Sequence, residues 1–328
     1  MVVVYHAAER MDVDLSMGQA GVDLFFVLSG FLMVAITSER IRPARFLRNR
    51  VTRVIPPYWA ASAVMLAAIL AGAFPNAMFD PWHAISSFLL IPSVAPATGE
   101  IWPILVQGWT LYFEMFFYAL FAVLLLIPNE THRVAVLLAV LGGLVAVGAA
   151  VEPQGPVASV LTDPLLLEFG AGSLLGLVWK RVTGPWPAIL GWPLCAAALA
   201  MFVAAEIRDI ERPRFLVMGI PAFLLVIGLL AVERRSPLPP VRIPLLLGDA
   251  SYSIYLWHTF ALSVLMMVSA MIELPAWPSI VLGTAGGIAI GVIAYWTIER
   301  PVLRYFRKTS PGRPLETAVL GKGRGSIL

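Results

Sequence analysis

The run "GWTLYFEMFFYALFAVLLLIP", residues 108–128, decides the fold class: it is apolar and long enough to cross a bilayer, yet it contains one carboxylate, Glu114. An ionised group near the bilayer centre costs about 2.5–3.5 kcal/mol on insertion scales, so such groups face a bundle interior or an aqueous cavity. Helical spacing agrees. Thr110, Glu114 and Tyr118 fall at i, i+4 and i+8, with Gln107 one turn earlier, so the polar residues share one face that is predicted to point inward. The alternative is a glutamate that bonds between helices purely for packing.

The rest of the chain sets the same context. Of its 328 residues 59% are hydrophobic and 13% charged, and the mean hydropathy is +0.84, which excludes an ordinary soluble domain. Apolar runs separated by short polar clusters predict helices, because barrel strands would alternate apolar and polar residues over about 10 positions. Helices are expected near 20–37, 58–74, 105–127, 134–151, 162–179, 188–205, 215–232, 249–272 and 278–298. The opening "MVVVYHAAER" is too short to span at 1.5 Å per residue and reads as the outer end of a first helix that begins earlier. The expected architecture is an all-α, polytopic transmembrane bundle of about nine full helices plus a truncated first helix. The membrane domain covers 1–308, and 309–328, rich in Gly, Pro and basic residues, is expected to be a flexible cytoplasmic tail.

Basic residues orient the bundle. With segment 38–57 inside, alternate loops and the tail place 19 of the 23 Lys and Arg residues on the cytoplasmic side, leaving Arg10, Arg208, Arg212 and Arg214 outside. The expectation is a multi-pass protein of the inner (plasma) membrane. The net charge of +3 then reflects topology and contact with anionic lipid, with no nucleic-acid partner.

Other signals are weaker. Cys195 is the only cysteine, which excludes an internal disulfide and a cysteine metal cluster; it reads as a small buried hydrophobe. "NET" at 129–131 matches a glycosylation pattern but falls in a cytoplasmic turn. The spacings Gly172–Gly176, Gly283–Gly287 and Gly287–Gly291 suit close helix packing. "PWHAISSFLLIP" at 81–92 is too short to span and reads as interfacial or re-entrant, with His83 an interfacial histidine.

A second polar stripe lies in "GDASYSIYLWHTFAL", where Ser251, Tyr255 and His258 fall at i, i+4 and i+7. His258 reads equally as a satisfied core residue or a functional group. His6, near the outer end of the first helix, carries an imidazole suited to acid–base work, against the plainer reading of an interfacial histidine. Arg50 and Arg53, in "RNRVTRVIPPYW", stand before a Pro-Pro break. They are ordinary positive-inside residues, or guanidinium groups three apart that clamp phosphate.

"VVVYHA", "GVDLFFVLSGFLM", "FLRNRVTRVIPPYW", "GWTLYFEMFFYALFA", "SYSIYLWH" and "IERP" occur in the order found in the acyltransferase 3 family, and the chain resembles that family over residues 1–308. These are integral membrane enzymes that O-acylate lipopolysaccharide, exopolysaccharide, peptidoglycan and some small acceptors. The Gly-Trp-Thr-Leu-x-x-Glu form looks most like the exopolysaccharide-production branch. The resemblance places a first-helix histidine on His6, an Arg-x-x-Arg pair on Arg50 and Arg53, and a Trp-x-Leu-x-x-Glu motif on Trp109, Leu111 and Glu114. It places a late histidine on His258 and a Ser-Gly-Phe turn on Ser29, Gly30 and Phe31. Family members carry an arginine about three turns before the first histidine, a position that precedes residue 1.

The resemblance implies acyl transfer, with acetyl expected, from a cytoplasmic acyl-CoA to a sugar hydroxyl of a glycan or lipid-linked glycan, without a metal. Arg50 and Arg53 would bind donor phosphates, and His6 would deprotonate the hydroxyl. Glu114 would orient or support the imidazole. His258 would join the catalytic set, and Ser29, Trp109 and Tyr255 would contact substrate. Polysaccharide assembly machinery is a further expected partner. A glycan transporter or flippase, or a structural subunit of an export complex, is the alternative. Against a transporter, no internal repeat and no paired broken helices are visible in the sequence.

Overall fold

The structure is a computed structural model that describes residues 1–37, 41–74, 76–208, 213–236 and 239–308. Arg40, Arg212 and the expected tail at 309–328 lie outside the described residues.

Among the described residues fourteen α-helices follow one another: α1 Val2–Glu9, α2 Ala20–Ile36, α3 Pro43–Leu70, α4 Pro81–Phe88, α5 Trp109–Leu124, α6 Glu130–Val151 and α7 Pro156–Leu161, then α8 Leu166–Arg181, α9 Trp192–Ile207, α10 Ile220–Arg235, α11 Arg242–Asp249, α12 Ser251–Met271, α13 Ala276–Ala294 and α14 Arg300–Lys308. Among the described residues there is no strand. Eight helical stretches among those residues are long and apolar enough to cross a membrane: Ser16–Ile36, Pro43–Leu70, Glu130–Val151, Pro156–Arg181, Ala188–Ile207, Phe215–Arg235, Ser251–Ser269 and Ala276–Phe306. The ninth expected span, 105–127, contracts to the 16 residues of α5, preceded by a 3-10 turn at Val106–Gly108. At 1.5 Å per residue α5 is about 24 Å long, short of a bilayer core of about 30 Å.

The largest departure from expectation is α3. It starts at Pro43 and runs through Pro56 and Pro57 for 28 residues, so the Pro-Pro pair does not break the chain and Arg50 and Arg53 sit inside a helix. Proline removes one N–H and crowds the preceding turn, but in a membrane helix neighbouring groups offset this. The segment 29–31 is likewise uninterrupted α2 helix, so the expected Ser-Gly-Phe turn is absent. Ser-Gly-Phe carries no proline, and a glycine within a 17-residue apolar helix is tolerated.

The described chain divides into two compact units, Met1–Ile36 with Ala171 onward, and Thr37–Gly170. In the first, α12 lies along α13, α9 along α10, and α1 packs on both α13 and α12. The glycine spacings explain how closely these helices approach. A Cβ at Gly291 would come within 2.3 Å of the Ile254 Cα, and one at Gly287 within 3.0 Å of the His258 Cβ. On the other side of the unit, a Cβ at Gly172 would stand 2.0 Å from the Val27 carbonyl oxygen, and one at Gly176 2.7 Å from that of Phe31. Cys195 is buried in α9 and faces Gly228 of α10, whose added Cβ would meet its sulfur at 2.5 Å. Gly172→Leu or Gly291→Leu is therefore expected to reduce folded protein recovered from membranes several-fold, because backbone cannot yield as a side chain can. Gly143→Leu, with nothing within 4 Å, should leave recovery unchanged. Fluorescence-detected size exclusion reads this directly, and equal recovery of all three variants would refute the packing role.

In the second unit α5 packs against α3, α6 and α7, and α4 against α3. Asn129 is the N-cap of α6, accepting from the His132 N–H at 3.0 Å, so the "NET" asparagine has a structural task. Arg133 is 2% exposed and donates to the Ile127 carbonyl at 2.9 Å, which closes the α5–α6 turn. The short segment at 81–92 is an eight-residue helix capped by Asp80. Its His83 is buried, with Nε2 2.8 Å from the Trp102 carbonyl. The helix turns Trp82, Ile85 and Leu89 outward, and its carbonyls at Ser87 and Phe88 accept from Tyr58 and Trp59 of α3.

Candidate active site

In the second unit the α5 stripe faces inward as its spacing requires. Gln107, Thr110, Glu114 and Tyr118 are all buried. The Tyr118 hydroxyl donates to Glu114 Oε1 at 2.5 Å, one turn away, while Glu114 Oε2 is buried without a hydrogen-bond partner among the described residues. The charges of Arg53 and Arg50 act on the same carboxylate. Both come from α3, where spacing of three puts them on one side. Arg50 lies 5.8 Å from the Phe46 ring centroid and 5.9 Å from that of Tyr118. Its Nε is buried and unpaired among the described residues. Arg53 is exposed. Two cations, one with an unused N–H, beside a single buried carboxylate leave capacity for a further anion. Trp109, at the start of α5, is half-buried and meets the Phe113 ring edge-on at 5.9 Å.

In the first unit α1 and α12 bring two histidines together. The rings of His6 and His258 stack with centroids 5.3 Å apart and planes inclined by 23°. His258 is fully buried, and its Nδ1 lies 2.8 Å from the Tyr255 carbonyl and 3.1 Å from that of Ile254. A carbonyl oxygen only accepts, so Nδ1 carries the proton and Nε2 of the neutral ring holds a lone pair. That Nε2 is buried and has no partner among the described residues. His6 Nδ1 lies 3.1 Å from Glu9 Oε2, and the Tyr5 hydroxyl donates to Glu9 Oε1 at 3.1 Å. The carboxylate that meets His6 in this unit is Glu9. Tyr255 is half-buried with its ring 6.2 Å from that of His258, and Ser29 is buried within α2. Ser251 leaves the expected stripe: it is exposed at the start of α12.

The comparison with known proteins is decided by coverage. A family model described as an acyltransferase domain, acyltransferase 3, matches residues 1–296. The chain belongs to the acyltransferase 3 family. Exopolysaccharide production protein ExoZ of Rhizobium meliloti is 42% identical over 92% of this chain and 95% of its own length. BcsY of Komagataeibacter xylinus is 30% identical over 79% and 68%, and Nodulation protein 10 of Rhizobium leguminosarum bv. viciae is 26% identical over 89% and 84%. No solved structure matches the chain. The protein is therefore a multi-pass membrane acyltransferase by family, and the six sequence motifs that carried the resemblance led to the right one.

Within this acyltransferase 3 chain, several buried polar groups were not singled out in the sequence. Asp23 of α2, fully buried, pairs with Arg214 at 2.8 Å, and Arg214 also donates to the Gln19 side chain at 2.7 Å. The Ser253 hydroxyl donates to Glu299 at 2.5 Å, with both residues buried. Glu299 ends a π-helical turn at Tyr295–Glu299 between α13 and α14. The available signal for both was a lone acid in or beside an apolar helix, the same signal that exposed Glu114.

Proposed function

We propose that the protein transfers an acyl group, acetyl, from acyl-CoA to a sugar hydroxyl of an exopolysaccharide or related glycan. The observation that carries this reading is the stacked pair His6 and His258, two motif histidines from opposite ends of the chain placed ring to ring. His6 Nε2 takes the proton of the acceptor hydroxyl as its oxygen attacks the thioester carbonyl carbon. The carbon–sulfur bond breaks, the CoA thiolate leaves, and the imidazolium returns the proton to it. His258, buried against His6, keeps the base in place. Arg50 and Arg53 bind the donor's phosphates, as the unpaired Arg50 Nε suggests. Glu114 sets these cations and supports positive charge in the site. Ser29, Trp109 and Tyr255 contact substrate. The name of ExoZ supports a glycan acceptor, and the basic loops support an inner-membrane protein with those loops and the C-terminal tail in the cytoplasm. Polysaccharide assembly machinery would supply the acceptor.

The test is transfer of labelled acetyl from acetyl-CoA to glycan by membranes that contain the full-length protein. Label in the glycan's O-acetyl groups is expected; loss of glycan export with acetylation intact would select the transporter or structural-subunit reading. Arg50→Ala with Arg53→Ala should raise the donor KM at least tenfold, because each charge-assisted hydrogen bond to phosphate contributes about 1.5–3 kcal/mol. Unaltered donor affinity would reduce both arginines to topology signals.

A further inference from the structure

Glu9 lies outside the six family motifs, and nothing in the reaction as written above requires it. It is three residues after His6 on α1, on the same side of the helix, and its carboxylate meets two neighbours at once. Oε2 is 3.1 Å from His6 Nδ1, and Oε1 receives the Tyr5 hydroxyl at 3.1 Å. An ionised carboxylate only accepts, so the contact with His6 requires the proton on Nδ1. A neutral imidazole protonated there has its lone pair on Nε2, the nitrogen that must act as base. The second bond, from Tyr5, holds the carboxylate against rotation. Among the described residues the pair also meets His258, stacked on the His6 ring, and Arg10, which donates to Ser263 at 3.0 Å. A guanidinium only donates and the His258 contact is ring to ring, so the acceptor that meets Nδ1 is the Glu9 carboxylate.

We infer that Glu9 is a positioning residue that holds His6 in the Nδ1–H tautomer and fixes its ring plane, so that Nε2 is presented as the base. This rests on the reading of His6 as the base. Acting through the His6 ring, Glu9 bears on the rate of the chemical step and leaves binding alone. The geometry parallels the outer partners of metal-binding histidines, whose loss typically costs about ten- to a hundredfold in affinity or activity.

The test compares Glu9→Ala, Glu9→Gln and His6→Ala in the full-length protein in membranes. Acetyl transfer from acetyl-CoA is measured, together with nitrogen-15 solid-state NMR of histidine-labelled protein, in which only four histidines contribute. Glu9→Ala is expected to lower kcat about ten- to a hundredfold with both KM values within about twofold, and to move the His6 signals toward the Nε2–H tautomer. Glu9→Gln, whose amide oxygen still accepts from Nδ1, should restore the tautomer and part of kcat. An unchanged kcat and unchanged His6 signals in Glu9→Ala, with His6→Ala inactive, would overturn the positioning role alone. Full activity of His6→Ala would instead overturn the base reading, and with it this one.

Discussion

Acyl transfer falls by about two to four orders of magnitude when His6 is replaced by alanine, the span that a positioned general base contributes, while the amount of protein in the membrane stays constant. The expectation follows from where the side chain sits. His6 is half-buried on a short helix that also packs on α12 and α13 through its buried residues Val3, Ala7 and Ala8, so truncating it removes chemistry and keeps those apolar contacts. The stack with His258 and the contact with Glu9 are both lost, but the apolar contacts of α1 through Val3, Ala7 and Ala8 remain. The measurement is labelled acetyl incorporated into glycan, divided by tagged protein on an immunoblot. Transfer within twofold of the wild type would eliminate His6 as the base, and His258 would then be the group to examine.

The second large effect is expected of Glu114→Gln, with transfer reduced about a hundredfold, equivalent to roughly 2.7 kcal/mol. Glutamine keeps an acceptor for the Tyr118 hydroxyl and nearly the same volume, so packing on α5 survives. What it removes is the charge that faces Arg50 and Arg53. Breaking a fully buried ion pair would cost about 3–5 kcal/mol of stability. Here Arg53 is exposed and Arg50 only half-buried, so the cations can recover solvent and the protein should still fold. Tyr118→Phe separates the two roles, because it removes the hydrogen bond and keeps the charge; its transfer should stay within tenfold of the wild type. Equal, full activity of Glu114→Gln and the wild type would leave Glu114 as interhelical glue.

How far the site was legible depended on whether its contacts lie along one helix or between helices. The inward stripe of Gln107, Thr110, Glu114 and Tyr118 was readable because a period of 3.6 places those residues on one face, and the glycine pairs were readable for the same reason. Glu9 was within reach of the same rule, at i+3 from His6, yet its carboxylate reads as an ordinary polar end of a short apolar segment. Ser251 shows the opposite case: the period put it on the stripe, but it falls where α12 begins and is exposed. The start of α3 was misplaced because four arginines between 45 and 53, followed by Pro56 and Pro57, read as a polar loop, whereas the helix continues through them.

By itself the sequence determined the class of this protein and its family. Long apolar runs leave hydrogen-bonded helices as the economical solution in a bilayer, and six motifs in order specify acyltransferase 3. Only the tertiary structure decided which groups are partners. His6 and His258, Asp23 and Arg214, and Ser253 and Glu299 are each separated by dozens to hundreds of residues. No periodicity encodes such pairs, because they depend on how whole helices dock through close glycine contacts, and docking is settled by the summed packing of many side chains.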